Sequence, residues 1–446
     1  MIENRDALGD GDARELALDC VAAAIEAASP ERATRDAVSL DGDVLAVADA
    51  AYDLSAYEDV LVVGGGKAAH GVASALESVL GDRITDGLVV TKHDADLDRV
   101  RPVTGDHPLP TERNVEATTE LLDTLAAAGS GTLVLFVVTG GASSLLTAPA
   151  GDLTVEDVRA TTEQLLEGGA PIDAVNGVRK HLSAVKGGRA ARAAAPATVV
   201  TLALSDVVGN DLSTVGSGPT VPDDTTFSDA LATFDRHGLT PSPAVSDHLE
   251  AGVAGRVAET PFGDDPTVGG AGSHLLCDNA VALEAARSVA ADAGHAPVVL
   301  SSRLRGEARE VGTAFAGIAE ECAVGGDPVE PPAVILAGGE CTVTVADDPG
   351  EGGPNQEFVL SGALALTEQA VVAAVDTDGE DGSSDVAGAI ADHGTVGDAD
   401  RARASEHLDA NDAGTYLSPI GATIRTGPTG TNVNDVMVAV VPEREE

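Results

Sequence analysis

Short runs of β-branched and aliphatic residues alternate along this chain with longer stretches in which apolar side chains recur at helical spacing. Strands are predicted at Val60–Val63, Leu88–Thr91, Thr132–Val138, Thr198–Leu204, Pro297–Leu300, Ala333–Leu336, Cys341–Val345, Val371–Val375, Ala422–Ile424 and Val436–Val441. Several are apolar on both faces, as strands covered by helices on each side must be. Helices are predicted over Ala13–Ala28, Ala68–Leu80, Asn114–Ala127, Val155–Glu167, Asp173–Leu182, Ala280–Ala293, Glu307–Cys322 and Pro354–Leu366. Thr111-Glu112 and Asp152-Leu153-Thr154 supply N-caps near two of those starts. Such alternation predicts α/β layers with largely parallel sheets. Gly218–Asp224 and Thr260–Gly272 lack periodicity and read as loops or as a connection between lobes. The expected boundary lies near residue 245, dividing the chain into 1–245 and 246–446.

Composition narrows the class. The 446 residues are 43% apolar but only 2% aromatic, without tryptophan, so the core must be aliphatic. Acidic residues number 73 against 26 basic ones, a formal charge of −47, and they are dispersed rather than gathered in a tail. A shell of that sign repels phosphate backbones and anionic headgroups, which excludes nucleic acid and anionic membrane as partners. No run reaches the ~18 apolar residues of a membrane span, and the polar start MIENRDALGDGDAREL has no signal-peptide pattern. The four cysteines show no metal spacing and are expected reduced. A cytoplasmic protein built for high salt is the reading, with a homodimer left open. Only four lysines are present, Lys67, Lys92, Lys180 and Lys186, so each is informative.

Several glycine-rich turns follow predicted strands. Gly64-Gly65-Gly66-Lys67 leads from a strand into a helix, where backbone N–H groups and the helix dipole can converge on an anion. The segment fails the P-loop spacing and meets only the relaxed dinucleotide fingerprint, at Gly64, Gly66 and Ala69. Thr139-Gly140-Gly141-Ala142-Ser143-Ser144 and Ser205-Asp206-Val207-Val208-Gly209-Asn210-Asp211 end two further strands. Their hydroxyls and Asp206 either cap helices or meet a ligand at the carboxyl edge of an open sheet. Arg179, Lys180, Lys186 and Arg189 gather positive charge against the sign of the whole surface, which suits an anion site. Asn355 and Gln356, in Gly353-Pro354-Asn355-Gln356-Glu357, open a helix whose N-terminus is expected to face a ligand. Asp376–Asp385 looks like a calcium loop but lacks the closing glutamate, leaving magnesium handling or acidic surface. Thr429-Gly430-Thr431-Asn432 reads as a phosphate- or ribose-contacting loop.

Taken together, GGGKAA, the HPLP of His107–Pro110, VTGGASSLL, NGVRKHLSAVKGGR, LSDVVGNDLSTVGSGPT, GGPNQE, DTDGEDG and GPTGTNVND resemble the MOFRL-containing, or class II, glycerate kinases, in order from Glu15 to Val441. The resemblance implies two α/β lobes: a Rossmann-like three-layer N-terminal domain with a largely parallel sheet, and a C-terminal domain holding the MOFRL region at about 330–441. It also implies an active site in the interlobe cleft, and transfer of the γ-phosphoryl group of ATP to D-glycerate, with 2-phosphoglycerate as the archaeal product. Lys67 and Asp206 become the catalytic candidates. One departure stands out: Pro354 replaces an arginine of the family pattern, and Arg179, Arg303 and Arg425 are the candidates to substitute for it.

Phosphoryl transfer needs placement and charge neutralisation. The expected assignment gives Ser143, Ser144, Arg179 and Lys180 to the substrate, and Gly64, Gly65, Gly66, Asn355, Gln356, Thr429, Gly430, Thr431 and Asn432 to the nucleotide. Asp206, Asp211 and Asp378 are the candidates for Mg²⁺. The rival enzyme class is a hydroxypyruvate reductase using a nicotinamide cofactor. It is disfavoured because Asp86 precedes the second strand and Lys92-His93-Asp94 sits where the ribose-binding acid belongs. A 3-phosphoglycerate-forming kinase stays open, whereas the wealth of polar loops in both halves argues against a non-catalytic regulator that binds ATP.

Overall fold

The structure, a computed structural model, describes residues 1–9, 11–92, 94, 96–268 and 272–444. His93 and residues 269–271 of the predicted Thr260–Gly272 loop lie outside the described residues. The chain forms two compact units, Pro30–Leu276 and Met1–Ser29 with Cys277–Glu446. The division therefore falls after Leu276 rather than near residue 245, and the first 29 residues join the C-terminal unit. Helix Asp12–Ala27 explains why: it packs on helix Asn279–Asp292 and strand Asp435–Val441.

The unit Pro30–Leu276 is built on a six-stranded sheet, ordered 101–104, 86–91, 59–65, 132–138, 198–204, 273–277. The first five strands pair parallel throughout. Numbered by occurrence, the order is 3-2-1-4-5-6, which reverses between Asp59–Gly65 and Thr132–Val138. Open α/β sheets bind ligands outside the carboxyl ends at such a reversal. Thr132–Val138 is buried at every position, which is why its sequence is apolar on both faces. Phe136, Val63, Leu121 and Leu145 share its core. A three-stranded antiparallel ribbon, Val38–Asp41, Val44–Val47 and Ala50–Asp53, was not predicted. A helical cluster, including Val155–Glu167, Ile172–His181, Phe227–His237 and Pro243–Val253, closes around Phe227 and Phe234.

The second unit carries a mixed sheet, ordered 296–307, 333–342, 435–441, 371–376, 388–392, 423–424. Only its first pair is parallel; the other pairs are antiparallel. The expectation of parallel strands fails here because Asp435–Val441 inserts between Ala333–Thr342 and Val371–Asp376 and runs against both. The two predicted strands at 333–336 and 341–345 are one, Ala333–Thr342, carried through Gly338 and Gly339.

Candidate functional site

Strand Asp59–Gly65 ends in the glycine turn that precedes helix Ala69–Leu80. The glycines are there for close approach. A Cβ on Gly64 (φ +142°) would lie 1.9 Å from the carbonyl oxygen of Val137, and one on Gly66 (φ +139°) 2.0 Å from Thr139 Oγ1. The amides of the turn are consumed by this packing. Gly66 N–H donates to Val90 O (3.0 Å), Lys67 N–H to Gly140 O (2.8 Å), and Ala68 N–H to Thr139 Oγ1 (3.2 Å). The expected cradle of bare N–H groups at Gly64, Gly65 and Gly66 is therefore not what the turn provides. It provides the Lys67 side chain.

Lys67 lies over the next turn. A Cβ on Gly141 would be 3.0 Å from Lys67 Cγ and 3.1 Å from His107 Cδ2, and one on Gly140 would be 2.3 Å from Asp206 Oδ2. Three strand ends thus meet at two adjacent glycines of the Thr139–Ala142 turn, as the sequence led us to expect. His107 is the addition. It follows strand Arg101–Thr104, and the only sign of it in the sequence is the His107–Pro110 motif. Burial, with the positive charges of Lys67 and Lys92, lowers its pKa to about 4. At neutral pH it is an uncharged ring able to donate and accept hydrogen bonds, not a cation.

Beside this turn lies a cavity of about 290 Å³, lined by residues including Pro108, Ser143, Ser144, Arg159, Arg179 and Lys186. Ser143 Oγ is 3.1 Å from Ser217 Oγ, and Ser144 Oγ donates to Pro108 O at 2.6 Å. Arg179 Nη1 donates to Asn176 Oδ1 (3.2 Å), and burial lowers its pKa. Lys186 Nζ donates to Leu146 O (2.6 Å), and burial, aided by the charge of Arg179, brings its pKa down to about 7. Ser143, Ser144 and Arg179 are therefore brought together as expected, and Lys186 joins them. Lys180 does not. Its Nζ donates to Asp223 Oδ1 at 3.1 Å in a buried ion pair, because consecutive helical residues point about 100° apart.

The loops of the other unit turn inward. At helix Pro354–Ala365 the carboxylate of Asp381 occupies the N-terminus. Its Oδ1 accepts from the Asn355 amide (2.9 Å) and Nδ2 (3.2 Å), and its Oδ2 from the Gln356 amide and Nε2 (both 2.9 Å). Asn355 and Gln356 thus hold the Asp376–Asp385 loop. Pro354 sits at the helix start, where the missing N–H costs nothing. Burial raises the pKa of Asp381 and pushes Asp435, which accepts from Asn355 Nδ2 at 2.7 Å, to about 7. Thr429 Oγ1 donates to Thr377 O (2.6 Å), Thr431 Oγ1 to Ala28 O, and Asn432 Oδ1 accepts from the Asn434 amide (2.9 Å). With Gly430 at φ +78°, this loop is tied to Thr377 and to Ala28 through its two threonine hydroxyls.

Asp211 and Asp378 are each tied to their own loops. Asp211 accepts from the Ser213 amide and hydroxyl (both 2.9 Å) and lies 3.3 Å from Thr214 Oγ1, while Asp378 Oδ1 accepts from the Glu380 amide (2.9 Å). Among the described residues no group of three His, Cys, Asp or Glu side chains is arranged to hold a metal ion. Of the arginines considered in place of the family residue, Arg425 pairs with Asp385 (2.9 Å) and Arg303 is exposed. Arg179 alone of the three lines the cavity.

Comparison with known proteins shows the family. Residues 16–250 match the model of a domain of unknown function (DUF4147), and residues 333–435 that of the MOFRL family. The chain is 37% identical to a glycerate 2-kinase of Pyrococcus horikoshii over 97% of its own length and 98% of the relative's. It is 41% identical to an Agrobacterium vitis protein provisionally named a hydroxypyruvate reductase, over 85% and 99% of the two chains. A crystal structure of glycerate kinase from Thermotoga maritima superposes with a TM-score of 0.84 at 35% identity, covering 96% of this chain and 99% of that one. Among the described residues no helix is long and apolar enough to cross a membrane. The chain belongs to the MOFRL-containing glycerate kinase family.

Proposed function

We propose that this protein transfers the γ-phosphoryl group of ATP to the 2-hydroxyl of D-glycerate, giving 2-phosphoglycerate. The observation that carries this reading is the meeting of Lys67, His107 and Asp206 at Gly140–Gly141, outside the sheet reversal and beside a cation-lined cavity. Lys67 binds oxygens of the transferring phosphoryl group and balances charge that develops on it. Asp206 Oδ2 accepts the hydroxyl proton as the oxygen approaches phosphorus. His107, neutral, donates or accepts one hydrogen bond that orients the hydroxyl or a phosphate oxygen.

Mg²⁺ fits this chemistry through Asp206. The ion is content with one or two carboxylates plus phosphate oxygens and water, and Asp206 stands at the Gly140–Gly141 turn beside Lys67. When bound, Mg²⁺ would supply neutralisation of the phosphate charge. We further place the enzyme in a cytoplasm of high ionic strength, on the support of its −47 charge.

The reductase name carried by two Agrobacterium vitis relatives finds no support at the turn. Asp86 opens strand Asp86–Thr91 rather than ending it, and the Gly66 and Lys67 amides that would meet a pyrophosphate bond to Val90 and Gly140. Parallel assays separate the two readings. ATP consumption dependent on D-glycerate supports the kinase; NADH oxidation with hydroxypyruvate and no ATP would overturn it.

A further inference from the structure

We propose that Arg179 and Lys186 form a carboxylate-binding site that seats the acid end of a short hydroxy acid in the cavity beside Ser143. The inference deepens the kinase reading and rests on it for the identity of the acid. Its basis is a charge left unbalanced. In a chain with 73 acidic residues, exposed arginines readily find carboxylates: Arg83 reaches Asp43, Arg99 reaches Asp82 and Arg101 reaches Glu120. The buried Lys180 takes Asp223. Arg179 and Lys186 have no such partner among the described residues. The polar atoms around them are Asn176 Oδ1, Thr162 Oγ1 and the carbonyl of Leu146. Lys186 is 3% exposed, so it is largely withdrawn from bulk water.

A half-buried arginine beside a buried lysine is costly to keep charged unless an anion joins them. A carboxylate matches the pair, since the guanidinium fork takes two oxygens and the ammonium adds a point charge. The other charged groups facing the cavity are Arg159 and Glu163, both on helix Val155–Glu167, and Glu163 is exposed. The cavity of about 290 Å³ is at the small end for organic ligands, which suits a three-carbon acid. Ser143 stands two residues beyond Gly141, so an acid group held here leaves its hydroxyls on the side of Lys67 and Asp206. A carboxylate also restores the charge of Lys186, whose pKa of about 7 leaves it largely neutral at pH 8. Binding at that pH takes up a proton.

The test is calorimetric titration of the full chain at pH 8 with D-glycerate, glycolate and glycerol, in two buffers of different ionisation enthalpy. The acids are expected to bind with proton uptake, and glycerol not to bind. Arg179→Met and Lys186→Met should each weaken D-glycerate at least ~10-fold, with ATP binding retained, and Lys186→Met should also abolish the proton uptake. Should Lys186→Met fail to fold, Arg179→Met decides alone. Unchanged affinity for D-glycerate in the folded variants, or glycerol binding as tightly as glycerate, overturns the proposal. Turnover with an unaltered KM for glycerate in both variants also removes this site while leaving the kinase standing. Binding of the acids without any phosphorylated product keeps the site and removes the kinase.

Discussion

Lys67 and Asp206 rest against neighbouring glycines, so each can be removed without opening the core. Lys67→Ala is expected to lower kcat by roughly 100- to 1,000-fold, the scale of losing one electrostatic partner of a transition state, with thermal unfolding little changed. Asp206→Asn should also cripple turnover; near-normal activity in steady-state assays of either variant would remove that residue from the mechanism. Lys186 gives a prediction on stability. The unfolded chain holds its proton up to about pH 10.5, the folded chain only to about 7. Between those values the unfolded state binds more protons, so this group makes stability rise with pH. Urea unfolding at pH 7 and 9.5 should show that rise in the wild type and a smaller one in Lys186→Met. At this scale the sequence was legible where a residue follows a strand: Lys67, Asp206, Ser143 and Ser144 stand at carboxyl ends. Lys180 and Lys186 occur in one run with no local mark to separate them, and only tertiary packing assigns one to Asp223 and the other to the cavity. His107 had only its motif.

The elements that the pattern predicted best are those whose own residues determine them. Thr132–Val138, Thr198–Leu204 and Val155–Glu167 match to the residue, the first two by continuous apolar runs and the third by its capping box. Thr154→Ala should cost about 1 kcal/mol, measured by chemical denaturation. The ribbon at Val38–Asp53 escapes the pattern because its strands are four residues long, too short to show alternation. The helices Phe227–His237 and Pro243–Val253 also lie outside the predicted set, although Thr226 and Ser242 cap them. At the N-terminus of Pro354–Ala365 the local signal of an anion site is genuine, but the anion is the chain's own Asp381. Asp381→Ala leaves the amides of Asn355 and Gln356 unsatisfied in a buried place, and a loss of at least ~2 kcal/mol is expected. Wild-type stability in that variant would contradict the capping role. Gly64→Ala sets a Cβ against the Val137 carbonyl and should likewise destabilise the sheet.

On the scale of the whole molecule, charge is the dominant fact. A net −47 repels itself over a Debye length of about 10 Å in 0.1 M salt and only about 3 Å at 1 M. The melting temperature should therefore climb steeply between 0.1 and 2 M KCl, and a flat profile would show that the acidic shell is not an adaptation to salt. The parallel half of the fold was legible from its buried strands. The mixed sheet was not, because the direction of Asp435–Val441 is set by where it inserts and not by its composition.

If the turn of Lys67, His107 and Asp206 is the seat of phosphoryl transfer, D-glycerate must be converted there. Phosphorus NMR of the products formed from D-glycerate, ATP and Mg²⁺ in molar KCl tests it most directly. A 2-phosphoglycerate resonance is expected, and it should disappear with Lys67→Ala. A 3-phosphoglycerate resonance would keep the kinase and overturn the choice of hydroxyl, and no phosphoglycerate from demonstrably folded protein would contradict the account.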